Sequence, residues 1–187
     1  MGKKYYLTED TINFNGVKLY RIKAMKHIEK YGVKTGDLGG YVEKEENLPH
    51  EHDAWIFDNA KVYGNAILYD GASICGNAEV YENAKVYGSA EIHNNAKVYG
   101  YAEVYGFSGI GDNAKVYGDA RVYGDARVLG NAEVYENAEV CGGAEVCDNA
   151  KVYGNANIWS DVLICNNMQI YSKFMGLLIW QKGGNNV

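Results

Sequence analysis

Four histidines and four cysteines are the side chains of this sequence best suited to chemistry, and their spacing decides what each can do. His93 is the one histidine inside the regular part of the chain; His27, His50 and His52 precede it. An imidazole can act as base or hydrogen-bond donor near neutral pH. At a spacing of 18 residues His93 is followed by Gly111 and Leu129, and Glu91 by Gly109 and Arg127. Phe107 stands just before, where other units carry a small or acidic residue, and Ser108 takes a place usually held by Ala. If residues 18 apart stack, the two glycines leave a notch bordered by Glu91, His93, Phe107, Arg127 and Leu129. A notch of that kind suits a small binding site, with His93 as base or donor. The alternative is decay of the repeat, in which the glycines merely tolerate a neighbour's bulk.

The thiols promise less. Cys75, Cys141, Cys147 and Cys165 show no Cys-x-x-Cys spacing. Cys147 and Cys165 stack but point the same way, which is poor disulfide geometry. Two thiols without further ligands make a weak metal site. The expectation is free thiols in a reducing cytoplasm and no bound metal. No Walker or Rossmann glycine pattern is present, and Thr at 8, 11 and 35 alone excludes threonine columns of the ice-binding kind.

The elements that position these residues follow from a repeat. Asn59-Ala60-Lys61-Val62-Tyr63-Gly64 recurs at 83–88, 95–100, 113–118 and 149–154. Ile, Leu or Val occupies every sixth position from 56 to 170, 20 in succession, with a small residue four places later except at Ser108, Val162 and Met168. A six-residue unit cannot bury its own aliphatic side chain, so units must stack. The short aliphatic pieces read as strands and the Gly-Asn, Gly-Asp and Glu-Asn pairs as corners. Three sides give a triangular coil of 18 residues.

Columns at that period differ from one another. Asn59, Asn77, Asn95, Asn113, Asn131, Asn149 and Asn167 form one corner, an amide ladder in prospect. The second face carries Tyr63, Tyr81, Tyr99, Tyr117, Tyr135, Tyr153 and Tyr171 after its aliphatic residues. The third carries Tyr69, Tyr87, Tyr105 and Tyr123, then Cys141 and Trp159; the first carries no Tyr. These rings either form a surface for a partner, a sugar or a second subunit, or stack on one another to stabilise the coils. The outward charges mostly alternate up the stack, with Lys97 over Lys115 as the exception.

Residues 1–50 fall outside the hexad and read as an N-terminal β cap, with strands at 5–7, 12–14 and 17–22 and a hairpin at Asn15-Gly16. Lys23 to Lys30 suits either strand or a helical turn, and Gly36 to Val42 reads as a turn into the solenoid. Val42 and Leu48 are out of phase with Ile56, so the segment from Pro49 to His52 must absorb a slip of two residues. The β-helix spans 51–172, and 173–187 form a C-terminal cap and tail covering the last open edges. Neither a signal peptide nor a membrane span is expected, since the apolar stretch Met175 to Trp180 is too short. A net charge of −6 argues against nucleic acid.

The uninterrupted hexads resemble the hexapeptide-repeat superfamily, whose fold is an all-β, single-stranded left-handed parallel β-helix; six to seven coils fit here. Gly36-Asp37-Leu38-Gly39-Gly40, Glu43 to Leu48 and the Asn-Ala-x-Val-Tyr-Gly units are similar to a subgroup common in bacteria and phages, usually described as hypothetical proteins or acyltransferases. The acyltransferases of the superfamily form trimers, bind acyl-CoA between neighbouring helices and use a histidine near a loop interrupting the hexads. No loop interrupts 56–170 here and no basic patch suits a CoA phosphate. The expected function is therefore a non-catalytic scaffold that binds a protein partner or assembles with itself as a dimer or trimer, without cofactor. Its setting is the cytoplasm, that of a host if the gene is phage-borne, where it would act on host machinery. Acyl transfer from acyl-CoA, with His93 as base, is the alternative.

Overall fold

The computed structural model describes residues 2–172. It is an all-β parallel solenoid of about seven coils, built from 20 two-residue strands running from Trp55–Ile56 to Gln169–Ile170. All but the last three pair in parallel with the strand 18 residues on, as Lys97–Val98 does with Lys115–Val116. The three faces are sheets of seven, ten and six strands. No helix among the described residues is long and apolar enough to cross a membrane. The C-terminal cap expected at 173–187 lies outside the described residues.

Packing follows the hexad. The aliphatic residues from Ile56 to Val152 and the alanines from Ala60 to Ala150 are fully buried in one continuous core. Each buried Val contributes about 1.5–2 kcal/mol of transfer free energy, and Ala fills the narrow corner where a larger side chain has no room. Backbone amides join the coils; Lys97 N–H donates to Ala114 O at 2.9 Å. The Asn column is a ladder from Asn77 to Asn167, each amide donating to the next at 3.1–3.4 Å.

Corners hold a device that composition does not reveal. Every corner has one residue at positive φ, for example Glu82 at 60° and Gly100 at 75°. At Gly100 an added Cβ would lie 2.7 Å from the Gly118 amide of the next coil, so glycine is required there. Where an acidic residue takes this position its carboxylate accepts the corner N–H 18 residues later: Asp58 from Gly76 at 3.0 Å, Glu82 from Gly100 at 2.9 Å, Glu136 from Gly154 at 2.8 Å. At these corners a carboxylate supplies an acceptor for the next coil and a glycine allows the close approach.

The N-terminal segment extends the second face. β1 (Tyr5–Phe14) and β2 (Val17–Ala24) form an antiparallel hairpin with Asn15 and Gly16 both at positive φ. β1 is continuous where two short pieces were expected, its pairing irregular between Leu7 and Thr11. After β2 comes a short 3-10 turn, Glu29–Tyr31. β3 (Leu38–Val42) then pairs antiparallel with β2 and parallel with Lys61–Val62. Gly39 and Gly40 lie in this strand and not in a turn; a Cβ at Gly39 would sit 2.6 Å from Ile22 Cγ1 and 2.7 Å from Ile56 O. The expected slip is real: Val42 stands in register with Val62, 20 residues away.

Lys4 closes the edge beneath the first face. Its side chain is fully buried and Nζ donates to His52 O and Ala54 O, both at 2.9 Å. Burial lowers its pKa to about 8. Lys4→Met removes both hydrogen bonds, one of them to the buried Ala54 carbonyl, and should cost about 2–3 kcal/mol in urea unfolding. An unchanged midpoint would show that water replaces the amine.

Candidate functional site

Three strands of the first face, Glu91–Ile92, Gly109–Ile110 and Arg127–Val128, lie side by side in register. Glu91 and Arg127 flank Gly109, so two strand spacings separate them, about 10 Å. A Cβ at Gly109 would meet no heavy atom within 4 Å, and the missing side chain opens a recess of about 430 Å³. Its lining comprises Glu91, His93, Phe107, Gly109, Arg127 and Leu129, as the spacing predicts, together with Ser89 and Ser108.

Gly111 plays a different part from the one expected. It does not open the recess. The His93 imidazole leans over it so closely that a Cβ at 111 would collide with Cε1 and Nδ1. The glycine seats the histidine, and the hollow is the space left at 109 alone. Ser108 is fully buried, and its hydroxyl donates to Tyr105 O at 2.9 Å, which satisfies a polar group in an Ala slot. Among the described residues, the side chains of Glu91, His93 and Arg127 make no hydrogen bond or ion pair. Glu91 and Arg127 are exposed to solvent and His93 is half-buried. Phe107, 75% exposed on the corner above, adds an apolar wall.

The other histidines stay apart. His27 is exposed. His50 Nδ1 accepts the Lys4 amide at 3.2 Å and faces Glu45, and His52 lies 3.8 Å from Asp70, so both serve the N-terminal edge.

The tyrosine columns resolve toward self-stacking. Tyr63, Tyr81, Tyr99, Tyr117, Tyr135 and Tyr153 stack with centroids 4.9–5.1 Å apart and planes within 6°. Tyr69, Tyr87, Tyr105 and Tyr123 do so at 4.8–4.9 Å and within 10°. Each ring hides the faces of its neighbours, so these ten residues are partly or fully buried and only their edges meet solvent. The first column ends against the hairpin, where Phe14 packs edge-on to Tyr63 at 6.0 Å. The Lys97–Lys115 exception is relieved by divergence: Lys97 reaches back to Glu79 at 3.2 Å and Lys115 forward to Glu133 at 3.3 Å.

One cluster was missed. Cys147 and Cys165, both free, are joined by Asp148, and the three donor atoms lie within 4.8 Å of one another. The adjacency of Cys147 and Asp148 was a usable signal, but a corner acid looks like any other corner acid until its fold position is known.

A repeat scaffold is the class that this fold defines, a β-solenoid whose short strands run unbroken from Trp55–Ile56 to Gln169–Ile170. Residues 114–130 and 120–136 match the model of the YdcK beta solenoid repeat, so the chain is similar to that repeat in its middle coils. No curated protein matches the chain.

Proposed function

We propose that the solenoid is a non-catalytic scaffold that docks a protein partner on its first face. The partner offers an apolar pocket to Phe107, an acidic group to Arg127 and a basic one to Glu91. The observation that carries this reading is the recess: charged and aromatic side chains converge on it without partners of their own. Aromatic and Arg side chains beside a hollow are the composition of interface hot spots. The other corners of the same column hold Asp53, Gly71, Ser89, Asp125, Gly143 and Asp161, so an exposed Phe107 serves no need of the repeat. A phage- or prophage-borne origin and a host protein as partner extend the resemblance drawn from the sequence.

A second reading rests on His93, whose imidazole borders the recess: an acyl-CoA-dependent transferase. One experiment separates the two. Immobilised protein is cross-linked in bacterial lysate, and its light-scattering mass and melting temperature are measured with and without acetyl-CoA. Phe107→Ser restores a residue already found at this corner and should leave the fold intact. Scaffolding predicts a defined partner whose capture falls at least tenfold in Phe107→Ser, with no shift by acetyl-CoA. Equal capture by the variant, or stabilisation by acetyl-CoA of a species with trimer mass, would overturn the proposal.

A further inference from the structure

We infer that Cys147, Asp148 and Cys165 form a binding site for a thiophilic divalent cation of the zinc type. The strands Glu145–Val146 and Leu163–Ile164 pair in parallel, so the cysteines that follow them leave neighbouring coils in the same direction. For a disulfide that is an awkward approach; for a metal it is a good one, since two thiolates held side by side can grip one ion. Asp148, at positive φ (58°), turns its carboxylate back toward them from the corner. All three donors lie within 4.8 Å of one another. Tetrahedral zinc, with bonds of about 2.0–2.3 Å, holds its ligands about 3.5–3.8 Å apart, so a side-chain adjustment of about 1 Å closes the site.

A supporting shell is already in place. Asp148 Oδ2 accepts the Asn166 N–H at 3.0 Å, which fixes the carboxylate and leaves its other oxygen for a cation. Asn166 Nδ2 donates to Cys165 Sγ at 3.3 Å. Such contacts orient ligands before metal arrives. Coordination balances as one divalent ion taken up and one proton released from each thiol, with water in the fourth position. The site adjoins the recess: it begins on Glu145–Val146, the strand that pairs with Arg127–Val128 of the same face, with Cys147 18 residues after Leu129. None of its three ligands lines the recess, so it does not depend on the proposed docking role.

The test is a titration of the full chain with Co²⁺ under a non-thiol reductant. Thiolate-to-cobalt charge-transfer bands and tetrahedral d–d bands should saturate at one ion per chain and be displaced by Zn²⁺. Cys147→Ser and Cys165→Ser should each lose the bands, and Asp148→Asn should weaken binding tenfold or more. Cys75→Ser, in the same column but far from the cluster, should leave them unchanged. Should any of these variants fail to fold, alkylation of both thiols in the wild type gives the same reading. Absence of thiolate bands, or bands that survive alkylation or persist in both serine variants, would overturn the inference.

Discussion

Deletion of Asn113 alone should destroy the coils that follow it, whereas deletion of all 18 residues from 97 to 114 should leave a shorter solenoid that still folds. The reason is register. Loss of one residue slides the downstream chain by one position, which moves Lys115, Arg121 and Arg127 into the inward slots of Ala114, Ala120 and Ala126 and turns Val116 and Val122 to solvent. Those slots are completely buried. A charge there without a partner costs several kcal/mol, and the error repeats every six residues. The corners cannot stretch to absorb it, because adjacent coils already approach so closely that a Cβ at Gly118 would lie 2.9 Å from the Glu136 amide.

Removal of 97–114 keeps every column in phase. Lys115 then stands on Glu79, Tyr117 on Tyr81 and Val116 on Val80, and the like-charged contact of Lys97 with Lys115 disappears. The expected melting temperature lies within about 10 °C of the parent, the cost of one coil of nearest-neighbour contacts. Circular dichroism and limited proteolysis distinguish the variants: the single deletion should be cut rapidly beyond residue 113, the long one should not. A parental melt for the single deletion would show that the coils tolerate slippage, and the register argument would fall.

Most of the solenoid could be read in the chain because its period is short and its neighbours are local. Ile92 needs to know only its place modulo six to be buried, and Asn95 only its place modulo 18 to find Asn113. The slip at Val42 was visible for the same reason. What escaped was geometry within a coil. That Gly39 and Gly40 serve a strand packed against Ile22 and Ile56 depends on where the hairpin folds, a contact no spacing encodes. His93 and Gly111 were rightly placed in one column, but which way the imidazole leans is a rotamer choice set by room above it. Asp148 was hidden by its ordinary role, since Asp58 and Asp112 occupy equivalent corners and simply bind the next amide. The tyrosine columns were legible as columns; that they consume their own ring faces required the 4.9 Å spacing with nearly parallel planes.

Those stacked rings make alkaline unfolding the other large effect. Burial holds the phenols of Tyr63 and Tyr87 up to about 12, with Glu79 and Glu103 as the next contributors. Tyr81 and Tyr117 are pushed higher still, first by burial, then by Tyr99 and Glu133 respectively. Tyr123 is raised chiefly by its hydrogen bond with Cys141. An unfolded tyrosine ionises near pH 10. Between that pH and the folded values the native state retains protons that the unfolded chain releases, so stability falls as pH rises. Below about pH 10 the contribution is fully present; above it, each ladder position adds to the slope. Lys4 and Lys61, both lowered first by burial, act in the opposite sense, Lys4 making stability rise between about 8 and 10.5, but they are two groups against many. The expected outcome is a steep, cooperative collapse that begins just above pH 10, in which phenolate absorbance and the loss of β circular dichroism share one midpoint. Replacing Tyr99 and Tyr117 with Phe keeps the stack while removing two titrating hydroxyls, and should move that midpoint to higher pH. Phenolate absorbance from the ladder that develops fully while the β signal persists would show that the rings ionise within intact coils, and that their stacking does not hold the protons on.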